Sequence, residues 1–142
     1  MPTVTMELER QVDLTVHLVI LGMLLFGLWL LRSRKNMRGH ALIFTAATII
    51  NLMTFFLFMV LPFLNEWGEA TASPLSVHSF FMLVHHAIGL VALVLSVFVV
   101  GRWAAKRFNP QGCKGKSLMY ATFGTWFGAL GLGVVLFLVE PG

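Results

Sequence analysis

Four stretches of this chain contain no Asp, Glu, Lys or Arg: residues 14–31, 39–65, 70–101 and 117–139. Each is about as long as, or longer than, the roughly 20 apolar residues that carry a helix across a bilayer. The expectation is an all-α integral membrane protein, a four-helix bundle with spans at about 14–31, 40–64, 75–101 and 117–139. Pro74 sets the start of the third helix, because proline is tolerated in a first helical turn and not in the interior. The runs take up so much of the 142 residues that no segment remains for a separate soluble domain, so 1–142 reads as one four-span domain.

Composition narrows the classes further. The chain is 58% hydrophobic and 11% charged, too apolar for a water-soluble domain of this size, and soluble enzyme folds are excluded. The net charge of +4 does not indicate a nucleic-acid partner, because the basic residues sit in two loops beside apolar spans and no recognition module accompanies them. The single cysteine, Cys113, has no partner for an internal disulfide. Before the first run stand Glu7, Glu9, Arg10 and Asp13, mostly acidic where a cleavable signal is basic, so the first span is expected to be retained.

The charges also set an orientation. Arg32, Arg34, Lys35 and Arg38 lie between spans one and two, and Arg102, Lys106, Arg107, Lys114 and Lys116 between spans three and four. Glu7, Glu9, Asp13, Glu66, Glu69 and Glu140 all fall on the opposite side. Positive-inside bias then predicts a multi-pass protein of the cell membrane with both termini outside. An odd number of spans or a re-entrant segment would scramble this segregation.

Between helices in lipid, polar and small side chains mark the faces that meet. At helical spacing, His40, Phe44, Thr48, Asn51, Thr54 and Phe58 share one face of span two, and His78, Met82, His85, Gly89, Ala92 and Ser96 share one face of span three. Ser117, Ala121, Gly124, Gly128 and Gly131 form a small-residue groove on span four, expected to face the bundle. Asn51, near the middle of its span, requires a partner, since an amide is expensive in hydrocarbon. No ionisable carboxylate, lysine or arginine stands within a span, which disfavours a pump, channel or voltage sensor.

What the spans do contain is histidine: His17, His40, His78, His85 and His86. Imidazole in hydrocarbon calls for a bond, a titration or a metal. Counting about 1.5 Å of rise per residue, His17 and His78 lie at comparable depth near the outer surface. His85 is two turns deeper on the face of His78, while His86 points about 100° away. His40 is at the inner end of span two, far from His78 along the membrane normal. Neutral imidazole is the usual axial ligand of b-type haem and also suits copper. The candidate cofactor residues are therefore His85, His78, His17 and His40, and the candidate metal ligands His85, His78 and His17. The bland alternative gives His17, His40 and His78 interfacial bonds to water or headgroups and His85 an interhelical hydrogen bond. The stripe of His78, Met82 and His85 favours the ligand reading for His85, with Met82 as packing.

Three features together resemble the small four-helix membrane proteins that include the CtaM (YozB) type maturation factors of haem-copper cytochrome oxidase. They are Arg38, Gly39, His40 and Ala41 at the opening of span two, the run Ser79, Phe80, Phe81, Met82, Leu83, Val84, His85, and the segment from Trp126 to Gly133. The resemblance covers residues from about 35 to the end, and it implies the four-helix fold, cofactor handling at His40 and His85, and a respiratory oxidase as partner. The family's further histidine in the basic loop before span four is replaced here by Gly112, Cys113, Lys114, Gly115 and Lys116. If that histidine serves the family's activity, this chain either lacks the activity or uses His17 and His78 instead.

Three functions follow from these readings. The first is a membrane haem- or metal-binding protein of the respiratory chain, in the manner of an oxidase maturation factor, holding haem b or, alternatively, copper. The second is a b-type electron-transfer subunit of an oxidase or quinone-linked complex. The third is a cofactor-free structural subunit that docks on a larger membrane complex through lipid-facing residues such as Phe55, Phe56 and Met59. Membrane lipids are partners in all three, nucleic acid in none. No nucleophile with its base, phosphate loop or carboxylate pair within the spans points to independent catalysis.

Overall fold

Each charge-free run carries a helix, and the chain reverses direction at each polar interval. The computed structural model describes residues 4–60, 64, 68, 77–106 and 116–139. Helix α1 spans Val4–Ser33, α2 Met37–Thr54, α3 Val77–Ala105 and α4 Lys116–Val139. All four are long and apolar enough to cross a membrane, over Gln11–Ser33, Met37–Phe58, Ser79–Ala105 and Ser117–Leu138. Pro74, Glu66, Glu69, Trp67, Cys113 and Glu140 lie outside the described residues, as does the side chain of His78.

The reversal between α1 and α2 is built by a few residues at the junction. Arg32 ends α1 with a cation at the negative pole of the helix. Lys35 takes a left-handed φ of 51°, and the Asn36 amide reaches back to the Leu30 carbonyl at 3.0 Å. Asn36 then caps α2, its Oδ1 accepting from the Gly39 amide at 2.9 Å, which satisfies one of the four donors a helix start leaves unpaired. A Cβ at Gly39 would stand 2.8 Å from Asn36 Nδ2 and 3.2 Å from Leu30 Cδ1, so a larger residue there would displace the capping side chain.

Beyond Thr54 the second helix does not continue as the uniform α-helix its apolar run predicts. Phe55–Val60 is π-helical, and the Phe55 amide bonds to both the Asn51 and Leu52 carbonyls. The Thr54 hydroxyl donates back to the Ile50 carbonyl at 2.9 Å, competing with the backbone ladder where it widens. Such widened turns concentrate at functional sites.

The helices form a ring in which α1 packs most extensively on α2 and α3 on α4; α2 joins the two hairpins through α3, and α1 meets α4 over a narrower seam. The core runs from Ile20 and Leu24 of α1 through Ala41, Phe44 and Ala47 of α2 and Ala92, Val99 and Trp103 of α3 to Phe123 and Trp126 of α4. Buried hydroxyls are satisfied along their own helices: Thr48 donates to the Phe44 carbonyl at 2.9 Å and Thr122 to that of Leu118 at 2.8 Å. Ser96 donates to the Ala92 carbonyl at 2.7 Å and accepts from Trp126 Nε1 at 2.5 Å, which ties α3 to α4.

The faces predicted for spans two and three are the ones buried: His40, Phe44, Thr48 and Thr54 on α2, and Met82, His85, Ala92 and Ser96 on α3. The face predicted for span four is not. Ser117, Ala121, Gly124, Gly128 and Gly131 point outward, while Thr122, Phe123 and Trp126 fill the interior. A helix turned this way gains the contact area of two aromatic rings in the core, which outweighs close approach along a groove of glycines.

Candidate cofactor cavity

The packing leaves two histidine environments, one at each end. Where α2 begins, the His40 ring stands 5.8 Å from that of Trp103 near the end of α3 and 6.1 Å from that of Phe123 in the first turns of α4. It donates from Nδ1 to the Gly27 carbonyl of α1 at 2.9 Å. Helices therefore alternate in direction around the ring, and His17, Asn51, His85 and Ala129 come together at the other end, where they line one cavity of about 30 Å³.

All four helices contribute to that cavity. Helix α1 gives His17, α2 gives Asn51 and, at the first residue of the π-helical turn, Phe55, α3 gives His85 and Gly89, and α4 gives Trp126 and Ala129. His85 donates from Nδ1 to the Ala129 carbonyl on α4 at 2.9 Å. His17 donates from Nδ1 to its own helix at the Asp13 carbonyl, 2.8 Å away, with Asp13 Oδ1 at 3.3 Å. A carbonyl oxygen can only accept, so Nδ1 carries the proton in both rings. In the neutral imidazole the lone pair is then on Nε2, the nitrogen left for a ligand. A second-shell carbonyl or carboxylate on the far nitrogen is the arrangement that orients metal-binding histidines.

The remaining histidines are elsewhere. His40 is separated from the cavity by most of the length of α2, is 2% exposed, and its Nε2 is buried without a hydrogen-bond partner among the described residues. His86 adjoins His85, its ring 5.5 Å away at 89°, but it donates from Nδ1 to the Met82 carbonyl at 2.8 Å and does not line the cavity. His78 stands two turns before His85 on α3, with its side chain outside the described residues. Of the four candidate cofactor residues, the structure brings His17 and His85 together and leaves His40 apart. Sequence reasoning missed Asp13 as the residue behind His17, although the four-residue spacing placed it one turn away on the same helix face.

The donor set and the volume can be tested against the groups imidazole implies. Two histidines from facing helices match the axial pair of a b-type haem. The volume does not: about 30 Å³ is an order of magnitude below the roughly 300–1,000 Å³ of sites that hold drug-sized molecules. Porphyrin does not fit between these walls. An ion or one to two waters does, since a water needs roughly 10–15 Å³ on this measure. Among the described residues no three His, Cys, Asp or Glu side chains gather as a metal-holding group, so the protein's imidazole donors to an ion here are the two histidines. No protein-family model, curated protein or solved structure matches this chain.

Proposed function

We propose that this chain is an integral membrane protein of the respiratory chain, with both termini outside, that holds a copper ion between His17 and His85. Its role is to carry that ion toward a haem-copper oxidase, as the resemblance to the maturation factors implies. The observation that carries the reading is the convergence of these two rings, from α1 and α3, on one cavity, each oriented by a bond at Nδ1. Imidazole suits copper among the first-row metals, and copper binds such donors most strongly in the divalent series. The outer location follows from the basic residues at the other end. Bound there, the ion would supply a redox-active or transferable metal centre. The chain's own part is to orient two nitrogens in a cavity whose remaining wall, apart from the Asn51 amide, is apolar.

The test is metal analysis of the detergent-purified protein together with its reduced-minus-oxidised absorption spectrum. We expect stoichiometric copper and no haem α-band, loss of the metal in His85→Ala and His17→Ala, and its retention in His40→Ala and His86→Ala. A sharp α-band would instead establish haem b and require the walls to part around it. A second reading is favoured by the bond from His85 to the Ala129 carbonyl, which by itself fastens α3 to α4: a cofactor-free structural subunit of a larger membrane complex. Absence of both metal and chromophore would establish that reading.

A further inference from the structure

Arg32, Arg34, Lys35 and Arg38 around the α1–α2 reversal, and Arg102 and Lys106 at the end of α3, are exposed. The contacts of His40 with Gly27 and Trp103 bring the two stretches to one end of the molecule. The acidic residues among those described, Glu7, Glu9 and Asp13, all lie in the first turns of α1, at the other end. The ion pair recorded among the described residues, between Asp13 and His17, is there too. This end therefore presents cations without carboxylates to neutralise them.

Two of these cations are held in a particular way. The Arg34 guanidinium carbon lies 5.4 Å from the centre of the Trp29 ring, and that of Arg102 lies 5.8 Å from the Phe98 ring. Trp29 and Phe98 are 44% and 55% exposed on the outer flanks of the helices, and α1 and α3 stand diagonally across the ring. A guanidinium at this distance from an aromatic ring is attracted by the ring's electrons. Its N–H groups remain on the rim, in the fork that matches the oxygens of a phosphate. With the helices in a bilayer, Trp29, one turn from the end of α1, sits in the interfacial belt, and Arg102, in the last turn of α3, reaches headgroup level.

We infer that this end is a binding surface for anionic phospholipid headgroups, engaged at two points, Arg34 on Trp29 and Arg102 on Phe98. The inference rests on the membrane placement proposed above and not on the copper site. Charge complementarity selects the occupant: an exposed polybasic end is attracted to an anionic leaflet, and the two guanidinium forks favour a phosphate over a diffuse field.

The experiment titrates the intact protein in neutral detergent with short-chain phosphatidylglycerol, short-chain phosphatidylcholine and inorganic phosphate, following the thermal midpoint. The expected result is a saturable rise with phosphatidylglycerol alone. In R34Q/R102Q the concentration giving half the rise should increase about tenfold or more. R34K/R102K keeps the net charge but loses the planar fork, and it should show a smaller weakening in the same direction. Equal responses to the two lipids overturn the proposal, as does an unchanged titration in R34Q/R102Q. A rise with inorganic phosphate equal to that with lipid overturns the choice of occupant, and a lysine variant equal to wild type overturns the role of the forks. Copper content of the same samples is expected to be unaffected by either double substitution, so failure here and failure of the metal site read out separately.

Discussion

A glycine can face open space or a crowded neighbour, and α4 contains both cases within one turn. A Cβ at Gly131 would meet nothing within 4 Å, whereas one at Gly133 would stand 3.0 Å from His85 Cε1 and 3.6 Å from its Nδ1. Because the His85 ring is pinned by its bond to Ala129, it has little freedom to withdraw. In a helix interior glycine costs roughly 0.5–1 kcal/mol relative to alanine, while overpacking typically costs about 1–3 kcal/mol. Gly131→Ala should therefore raise the thermal midpoint and Gly133→Ala lower it, with copper content reduced in Gly133→Ala alone. Equal midpoints for the two variants would show that the ring moves aside freely. At this scale the sequence singled out the histidines, because imidazoles within long apolar runs stand out, and Asn51, which lines the cavity as a half-buried amide. It was not legible for the glycines: helical periodicity groups Gly124, Gly128 and Gly131 on one face without saying which way that face turns.

Helices of this length follow from long charge-free runs, but their ends and irregularities depend on single side chains. The α1–α2 reversal hangs on Asn36, whose Oδ1 accepts from Gly39 and whose amide reaches Leu30. Asn36→Ala removes the side-chain acceptor and should cost about 0.5–2 kcal/mol of stability, whereas Asn36→Asp keeps an oxygen in the same place and should cost little. Chemical or thermal unfolding in detergent decides this, and equal losses for both variants would show that the cap contributes nothing. The cap was not read from the sequence, which put the start of this span at about 40, because Asn36 stands among the charged residues ahead of the apolar run. The π-helical turn at Phe55–Val60 could not be read there either, because the residues that widen the ladder are as apolar as those on either side of it. Its consequence for the site is direct: it begins at Phe55, on the cavity wall, one turn after Asn51.

The whole molecule is organised by two opposed ends and a greasy girdle between them. Leu25 and Phe26 on α1, Ile49 and Met53 on α2, Val94 and Val97 on α3, and Val135 and Leu138 on α4 are all exposed. So much outward apolar surface on every helix would drive aggregation in water and suits a lipid surround. Alternating helix direction was foreseeable from short polar intervals and from the segregation of charge; the order of neighbours around the ring and the shared cavity of His17 and His85 were not, since both depend on how each helix is rotated. Which end faces the cytoplasm is a property of the molecule as a whole, set by summed loop charge, and the lone Cys113 in the second basic loop makes it measurable. Positive-inside bias places that loop on the cytoplasmic side. A membrane-impermeant maleimide should then leave Cys113 unlabelled in intact cells and label it after permeabilisation. In a Cys113→Ser background, Thr3→Cys should label without permeabilisation, because the same bias puts the residues before the first span outside. The reverse pattern would put the basic end outside. It would also move the cavity of His17 and His85 to the cytoplasmic half and direct the basic end at the opposite leaflet, so a single labelling experiment fixes the side on which each of the two proposed sites works.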